Sequence, residues 1–297
     1  MRAPLFIAVA LLCLLACSRE QHGKLQGPVT RIDDVGHTVT LPGTPHRIIS
    51  LAPSITETLF ALGLDSSIAG VTDYCDYPMQ AKQKPRIGGI MNPDVERILS
   101  LRPDLVLMTG SGNMKSDYEK LSSAGVAVFV SYPHTLNDVF KAIGDVGYLT
   151  SSTRQSDSLL AGLIRRKNEL VKRAAAQPKR SVLLLLSLQP IVAVGNGSFL
   201  DEMLTLANAE NIAHHSVTVY PLLSREEILR RQPEVIIVTN DIAKGLEEIL
   251  HAYPEWKSLP AIRQGRVGIV DANLVSRPGP RVVDGLEAIV NIIHPAR

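Results

Sequence analysis

Two kinds of side chain in this sequence could do covalent or metal chemistry: three cysteines and eight histidines. Cys17 closes the tetrapeptide Leu14-Leu15-Ala16-Cys17, the form of a bacterial lipobox, in which the thiol is diacylated and becomes the first mature residue. Two or three acyl chains anchor durably where one does not. Cys13 leaves with the signal, so Cys75 is the one thiol left in the body of the chain and no intramolecular disulfide can form. A leftover thiol of this kind is either a small buried hydrophobe or a reactive or ligating group. A bare zinc or manganese site would have to draw on His46, His134, His214 and His215 with carboxylates. These are scattered, and neighbours such as His214 and His215 point in different directions. Catalytic constellations are missing from the sequence: there is no Gly-x-Ser-x-Gly elbow, Gly-Lys-Ser/Thr phosphate loop, Cys-x-x-Cys or His-Glu-x-x-His. No catalytic residue and no cofactor is assigned, and hydrolysis is a poor second to binding.

The elements that must position a binding site are organised around residues 151–177. Leu159, Leu160, Leu163, Ile164, Leu170 and Val171 recur at helical spacing, basic residues crowd the later turns, and Pro178 stops the run. Ser151, Ser152 and Thr153 offer capping hydroxyls at the start. Such a helix spans about 39 Å, a strut rather than a crossover. The sequence on either side repeats. Val95 to Leu107 aligns without a gap on Arg225 to Ile237, 130 positions later. Pro45-His46-Arg47 is echoed by Pro178-Lys179-Arg180, and Gly125 to Val130 by Gly265 to Val270. Three matches in one order predict two similar lobes, residues 29–150 and 178–297, preceded by a signal peptide over 1–16 and a polar tether over 17–28.

Alternating strands and helices predict parallel sheets, with ligands beyond the carboxyl ends of the strands. In the first lobe those ends are Pro53-Ser54, Asp73 to Tyr77, Thr109 to Asn113 and Tyr132 to His134; in the second they include Asn196 to Ser198, Val219-Tyr220 and Asp271 to Pro280. The chain has 45% hydrophobic residues, enough for a core in each lobe. Its net charge of +2 forms no basic run, so nucleic acid is not an expected partner. Aromatics are 4%, with the single tryptophan Trp256.

Thr38 to Pro42, Pro45 to Glu57, Gly70 to Pro78, Asn92-Pro93 with Glu96, Arg102-Pro103-Asp104, Ser224-Arg225-Glu226 and Arg277 to Arg281 together resemble the helical-backbone substrate-binding proteins of ABC importers. Within them the cobalamin-binding branch is most similar. The resemblance implies an α/β chain of two doubly wound Rossmann-like lobes, a single long backbone helix between them and a ligand cleft between the lobes. It implies a cleft tyrosine at Tyr74, an aromatic at Tyr220 and a ligand-reaching arginine at Arg277. Ile90 and Thr109 stand where a cobalamin binder carries tryptophan. The ligand set under this reading is Ser54, Tyr74, Cys75, Tyr77, Ile90, Thr109, Tyr220 and Arg277, around a corrinoid, with haem or a ferric siderophore as alternative. Glu96 and Glu226, exact repeat mates, become the acids that dock on a permease dimer driven by its ATPase. The expected protein is a monomer, exported and held in the cell envelope by lipid on Cys17.

Overall fold

Runs such as Val182 to Leu185 and Val235 to Val238 have no polar face, so as strands they must be covered on both sides, and all eight residues are fully buried. The computed structural model describes residues 27–295. The segment expected to be a signal, Cys17 with its expected lipid, and nearly all of the expected tether lie outside the described residues.

The first two strands, β1 (Val29–Ile32) and β2 (Thr38–Leu41), form an antiparallel hairpin. A parallel sheet follows, built from β3 (Ile48–Ser50), β4 (Ile68–Val71), β5 (Leu105–Thr109) and β6 (Val128–Ser131) in the spatial order β4-β3-β5-β6. The second lobe contains β7 (Arg180–Ser187), β8 (Val192–Ala193), β9 (Ala209–Asn211), β10 (Val235–Thr239) and β11 (Val267–Val270). There β9, β7, β10 and β11 repeat the same parallel order, and the short β8 adds antiparallel to the upper part of β7.

Period-two alternation divides each sheet between two cores. Val182, Leu184, Val235 and Ile237 face one cluster, while Leu183, Leu185, Ile236 and Val238 face another. In the first lobe Ile48, Leu105 and Leu107 face one side, and Ile49, Val106 and Met108 the other. Helices therefore cover both faces of both sheets, the doubly wound arrangement expected from the sequence.

The repeat is geometric as well as textual. Arg102 and Gln232, mates before Pro103 and Pro233, both take left-handed backbone, with φ of 46° and 48°. Asp104 accepts from the His46 and Arg47 amides at 2.7 and 2.9 Å, and its mate Glu234 accepts from the Ser181 amide at 3.0 Å. Each carboxylate ties the start of its lobe's first strand to the loop before the third.

The helix Thr153–Ala175 joins the lobes. Its start differs from expectation. Ser152 occupies the cap position without a side-chain cap, Ser151 has φ 58° and its hydroxyl bonds Thr44 at 2.7 Å. The reason is the tight reversal from the preceding helix, Leu136–Leu149, which spends these residues on turn geometry. That preceding helix straddles the waist. Leu136, Val139, Phe140 and Ile143 pack into the second lobe's core, whereas Val146 and Leu149 pack into the first. Leu159 of the long helix packs against both.

The two waist helices meet where Gly147 faces Ser156. A Cβ on Gly147 would lie 2.5 Å from Ser156 Cβ, closer than side chains approach. Gly147→Val is expected to destabilise the fold by about 1–3 kcal/mol, the cost of overpacking, with partial recovery when Ser156→Gly is added. Thermal unfolding of the three proteins measures it; an unchanged midpoint for the single variant would mean the helices separate freely.

Candidate functional site

In each sheet the order reverses beside the first strand, and a crevice opens beyond the carboxyl ends of the strands there. The two crevices open toward each other and form one cleft with two adjoining cavities. One, of about 250 Å³, is lined by Ser54, Tyr74, Ile90, Thr109, Asn273 and Arg277. The other, of about 380 Å³, is lined by Tyr132, His134, Ser198, Phe199, Val219 and Tyr220. Ser111, Ser276 and Pro278 line both, so the two are continuous. Many of the lining residues lie at or just beyond the carboxyl ends of strands, in the loops there or in the first turns of the helices that follow.

Tyr74 and Tyr220 are 61% and 50% exposed, free to present ring faces to a ligand. Burial lifts the Tyr220 phenol above its ordinary value, and neighbouring Tyr132 adds to the effect, so it stays a neutral hydroxyl at physiological pH. Its loop is held in place by backbone: the Gly195 amide donates to Val219 O at 2.8 Å, and a Cβ on Gly195 would strike Thr218 O at 2.6 Å. Glycine at 195 is therefore a structural requirement of the wall that carries Tyr220.

Arg277 sits on the cleft floor, but its charge is already engaged. Nη1 donates to Glu57 Oε1 at 3.1 Å and to Asp76 Oδ1 at 2.7 Å. Arg281 holds the same Glu57 with two bonds, Nε to Oε2 at 2.9 Å and Nη2 to Oε1 at 2.6 Å. Glu57 belongs to the helix Pro53–Ala61 of the first lobe and its side chain is only 2% exposed. This four-residue ion latch therefore crosses between lobes with two positive and two negative groups. Burial pushes the Asp76 carboxyl up, but the hydrogen bond and charge of Arg277 outweigh it and hold the group below the usual range. The hydrogen bonds it donates to Glu57 raise Arg281 further above its already high value.

Two residues expected to touch ligand do not line the cleft. Cys75 is fully buried, with Thr56 Oγ1 donating to its sulfur at 3.1 Å and the Thr72 hydroxyl sharing a hydrogen bond with it at 3.2 Å. Burial pushes its thiol above the ordinary value, making it a core residue rather than a ligand contact. Tyr77 instead supports the latch: the Arg281 guanidinium lies 3.9 Å from its ring centroid. Ser54, Ile90 and Thr109 do line the smaller cavity. Trp256 is buried in the second lobe's core against Tyr253, away from the cleft.

Sequence reasoning named the loop of Tyr132 and His134 as a strand end without assigning it a contact. The two rings lie 4.3 Å apart on the cleft wall, and the strand-end rule was the signal that pointed there. His46 precedes the amino end of β3 and His134 follows the carboxyl end of β6, so they lie toward opposite ends of the parallel sheet, while His214 pairs with Asp201 at 2.9 Å. The four histidines are not brought together, and among the described residues no group of three or more histidine, cysteine or carboxylate side chains is placed to hold a metal ion.

Glu96 and Glu226 occupy matching places. Each is the second residue of its helix, Val95–Ser100 and Arg225–Arg231, and each is exposed. Asp94 and Ser224 cap these helices through the Arg97 and Glu227 amides at 2.9 and 3.1 Å. Amide hydrogen bonding at the helix start, and then the Ser224 hydroxyl, holds the Glu226 carboxyl below its ordinary value.

Comparison with known proteins places this architecture. The model of the periplasmic binding protein family matches residues 48–274. An uncharacterized ABC transporter substrate-binding lipoprotein of Bacillus subtilis, YvrC, is 32% identical over 90% of this chain and 86% of its own length. The periplasmic vitamin B12 binding protein BtuF of Vibrio cholerae superposes with a TM-score of 0.74 at 28% identity, covering 84% of this chain and 96% of that one. The periplasmic heme-binding protein RhuT from Roseiflexus sp. RS-1 superposes with a TM-score of 0.72 at 26% identity, covering 84% and 98%. With two lobes of the same strand order, a helical backbone and a cleft between strand ends, the chain belongs to the periplasmic binding protein family.

Proposed function

We propose that this protein is the substrate-binding component of an ABC importer, exported and anchored through Cys17, and that it captures a corrinoid in the interlobe cleft for delivery to a permease. The observation that carries the ligand class is the charge of the cleft. Among the described residues lining its two cavities Arg277 is the one lysine or arginine, and Glu57 and Asp76 neutralise it. Haem brings two propionates and many ferric siderophores are anionic, and burying such charge without a partner costs several kcal/mol. A corrinoid's rim is made of carboxamides. These pair with hydroxyls and amides such as those of Ser54, Ser111, Asn273 and Tyr220, while the tyrosine rings meet its flat faces. The vitamin B12-binding relatives support the same choice.

Haem is the second reading and rests on His134, an exposed imidazole on the cleft wall that could serve as an axial ligand. Calorimetric titration of the protein lacking its first seventeen residues with cyanocobalamin, haem and a ferric hydroxamate separates these readings. Cyanocobalamin is expected to bind with a Kd below about 10 μM, an affinity of about −7 kcal/mol, and haem more weakly. Tighter haem binding that is lost in His134→Ala would transfer the assignment to haem; binding of none of the three would remove the import reading.

A further inference from the structure

A third cavity of about 400 Å³ opens beside the cleft, on the first lobe between the β1–β2 hairpin and the start of the helix Lys115–Ser123. Its floor is apolar, made by Met108 and Val130. One wall is the stacked pair of His37 and Tyr118, with ring centroids 4.3 Å apart and planes 12° from parallel. Met114 and Lys115 form the rim.

This cavity is continuous with the cleft. Tyr132 lines both it and the larger cleft cavity, and Thr109 lines both it and the smaller one. Tyr132 stands as a partition, its ring laid against Gly110, where a Cβ would come within 2.5 Å of Tyr132 Cγ. A ligand filling the cleft therefore has a neighbouring chamber within reach of any arm it carries.

The chemistry of the chamber limits what that arm can be. Asn113, the amide at its base, is fully spent: its oxygen accepts from the Thr109 amide at 2.7 Å, and its nitrogen donates to Ile90 O and Leu51 O at 2.7 and 3.2 Å. The deep part can thus offer thioether, aliphatic and aromatic contact but no free amide. At the rim the Lys115 ammonium is 88% exposed and only loosely paired, 3.6 Å from Glu119, so it can turn toward an anion. We propose that this side chamber receives a pendant arm of the cleft ligand: a flat, apolar heteroaromatic base seated against Met108, Met114 and Tyr118, joined to the ligand body through a phosphodiester that Lys115 faces. The inference rests on the corrinoid reading, since a corrinoid with its nucleotide attached has such an arm and haem has none.

The test compares cyanocobalamin with dicyanocobinamide, the same corrin without the nucleotide, on the wild-type protein and on Met114→Trp and Lys115→Glu. The first variant fills the chamber from its rim. The second reverses a charge on an exposed side chain and leaves the core intact, so it folds whatever the first does. Wild-type protein is expected to prefer cyanocobalamin by about tenfold or more, and each variant to lose about tenfold in cyanocobalamin affinity while holding dicyanocobinamide within about twofold. Equal affinity of wild-type protein for the two corrinoids would overturn the chamber's role and leave the corrinoid reading standing. So would variants that lose both ligands equally or neither. Wild-type protein that binds neither corrinoid would remove the reading and the chamber's role together.

Discussion

Glu57→Leu is expected to destabilise the protein by about 3–5 kcal/mol, because it strands two guanidinium groups in a place built around one carboxylate. Arg277 and Arg281 have side chains only 13% and 17% exposed, and Glu57 accepts three charged hydrogen bonds from them. Asp76 balances part of the charge, but it is half exposed and reaches Arg277 alone. Urea denaturation gives the difference directly from the shift in midpoint at constant slope. Because the latch crosses the lobes, the variant should also bind its ligand more weakly than its residual folded fraction explains. A midpoint within experimental error of wild type would show that water reaches the two arginines as readily as Glu57 does. Replacing all three residues by apolar side chains of similar volume should recover much of the loss, since the damage comes from unpaired charge rather than from missing packing.

Removing the two repeat-mate acids should do the reverse: leave the molecule intact and stop its work. Glu96→Gln with Glu226→Gln keeps side-chain size at two exposed helix starts whose caps, Asp94 and Ser224, are untouched. Folding is expected to lose only the small helix-start contribution of each charge, and ligand affinity to stay within error of wild type. Uptake by reconstituted permease is expected to fall by about tenfold or more, the range over which electrostatic steering moves association rates, and the remaining transport should lose most of its dependence on salt. Each single variant should lie between. Undiminished transport by the double variant at physiological ionic strength would mean that the permease recognises some other surface.

Periodicity carried the architecture in the sequence. The repeat at 130 positions announced two lobes of one plan, and the structure extends it to left-handed backbone at Arg102 and Gln232 and to the paired carboxylates Asp104 and Glu234. Strand-end logic located the cleft, and it placed Ser54, Tyr74, Thr109, Tyr220 and Arg277 on the cleft's walls and floor. The partnership of Arg277 with Glu57 was not legible, because the two lie 220 residues apart and neither lobe's local pattern implies the other's contact. That partnership changes the meaning of the arginine from a free cation to a neutralised one. Cys75 failed as a contact for a related reason: it follows β4 closely, as Tyr74 does, but the chain turns between them, so Tyr74 faces the cleft and Cys75 the core. One residue of register separates a wall from a filling.

The helix Leu136–Leu149 comes from the first half of the chain, yet four of its apolar side chains share a core with residues as late as Ile289, Val290 and Ile293. Synthesis runs from the other end. When residue 150 has been made, Leu136, Val139, Phe140 and Ile143 lack most of the core they end in, and that core is complete only with the final helix, Val282–Ile293. The nascent polypeptide therefore reaches its native state late, after almost every codon has been read. The wiring of the waist thus makes the first half of the chain depend, for its last packing partners, on the final helix of the second.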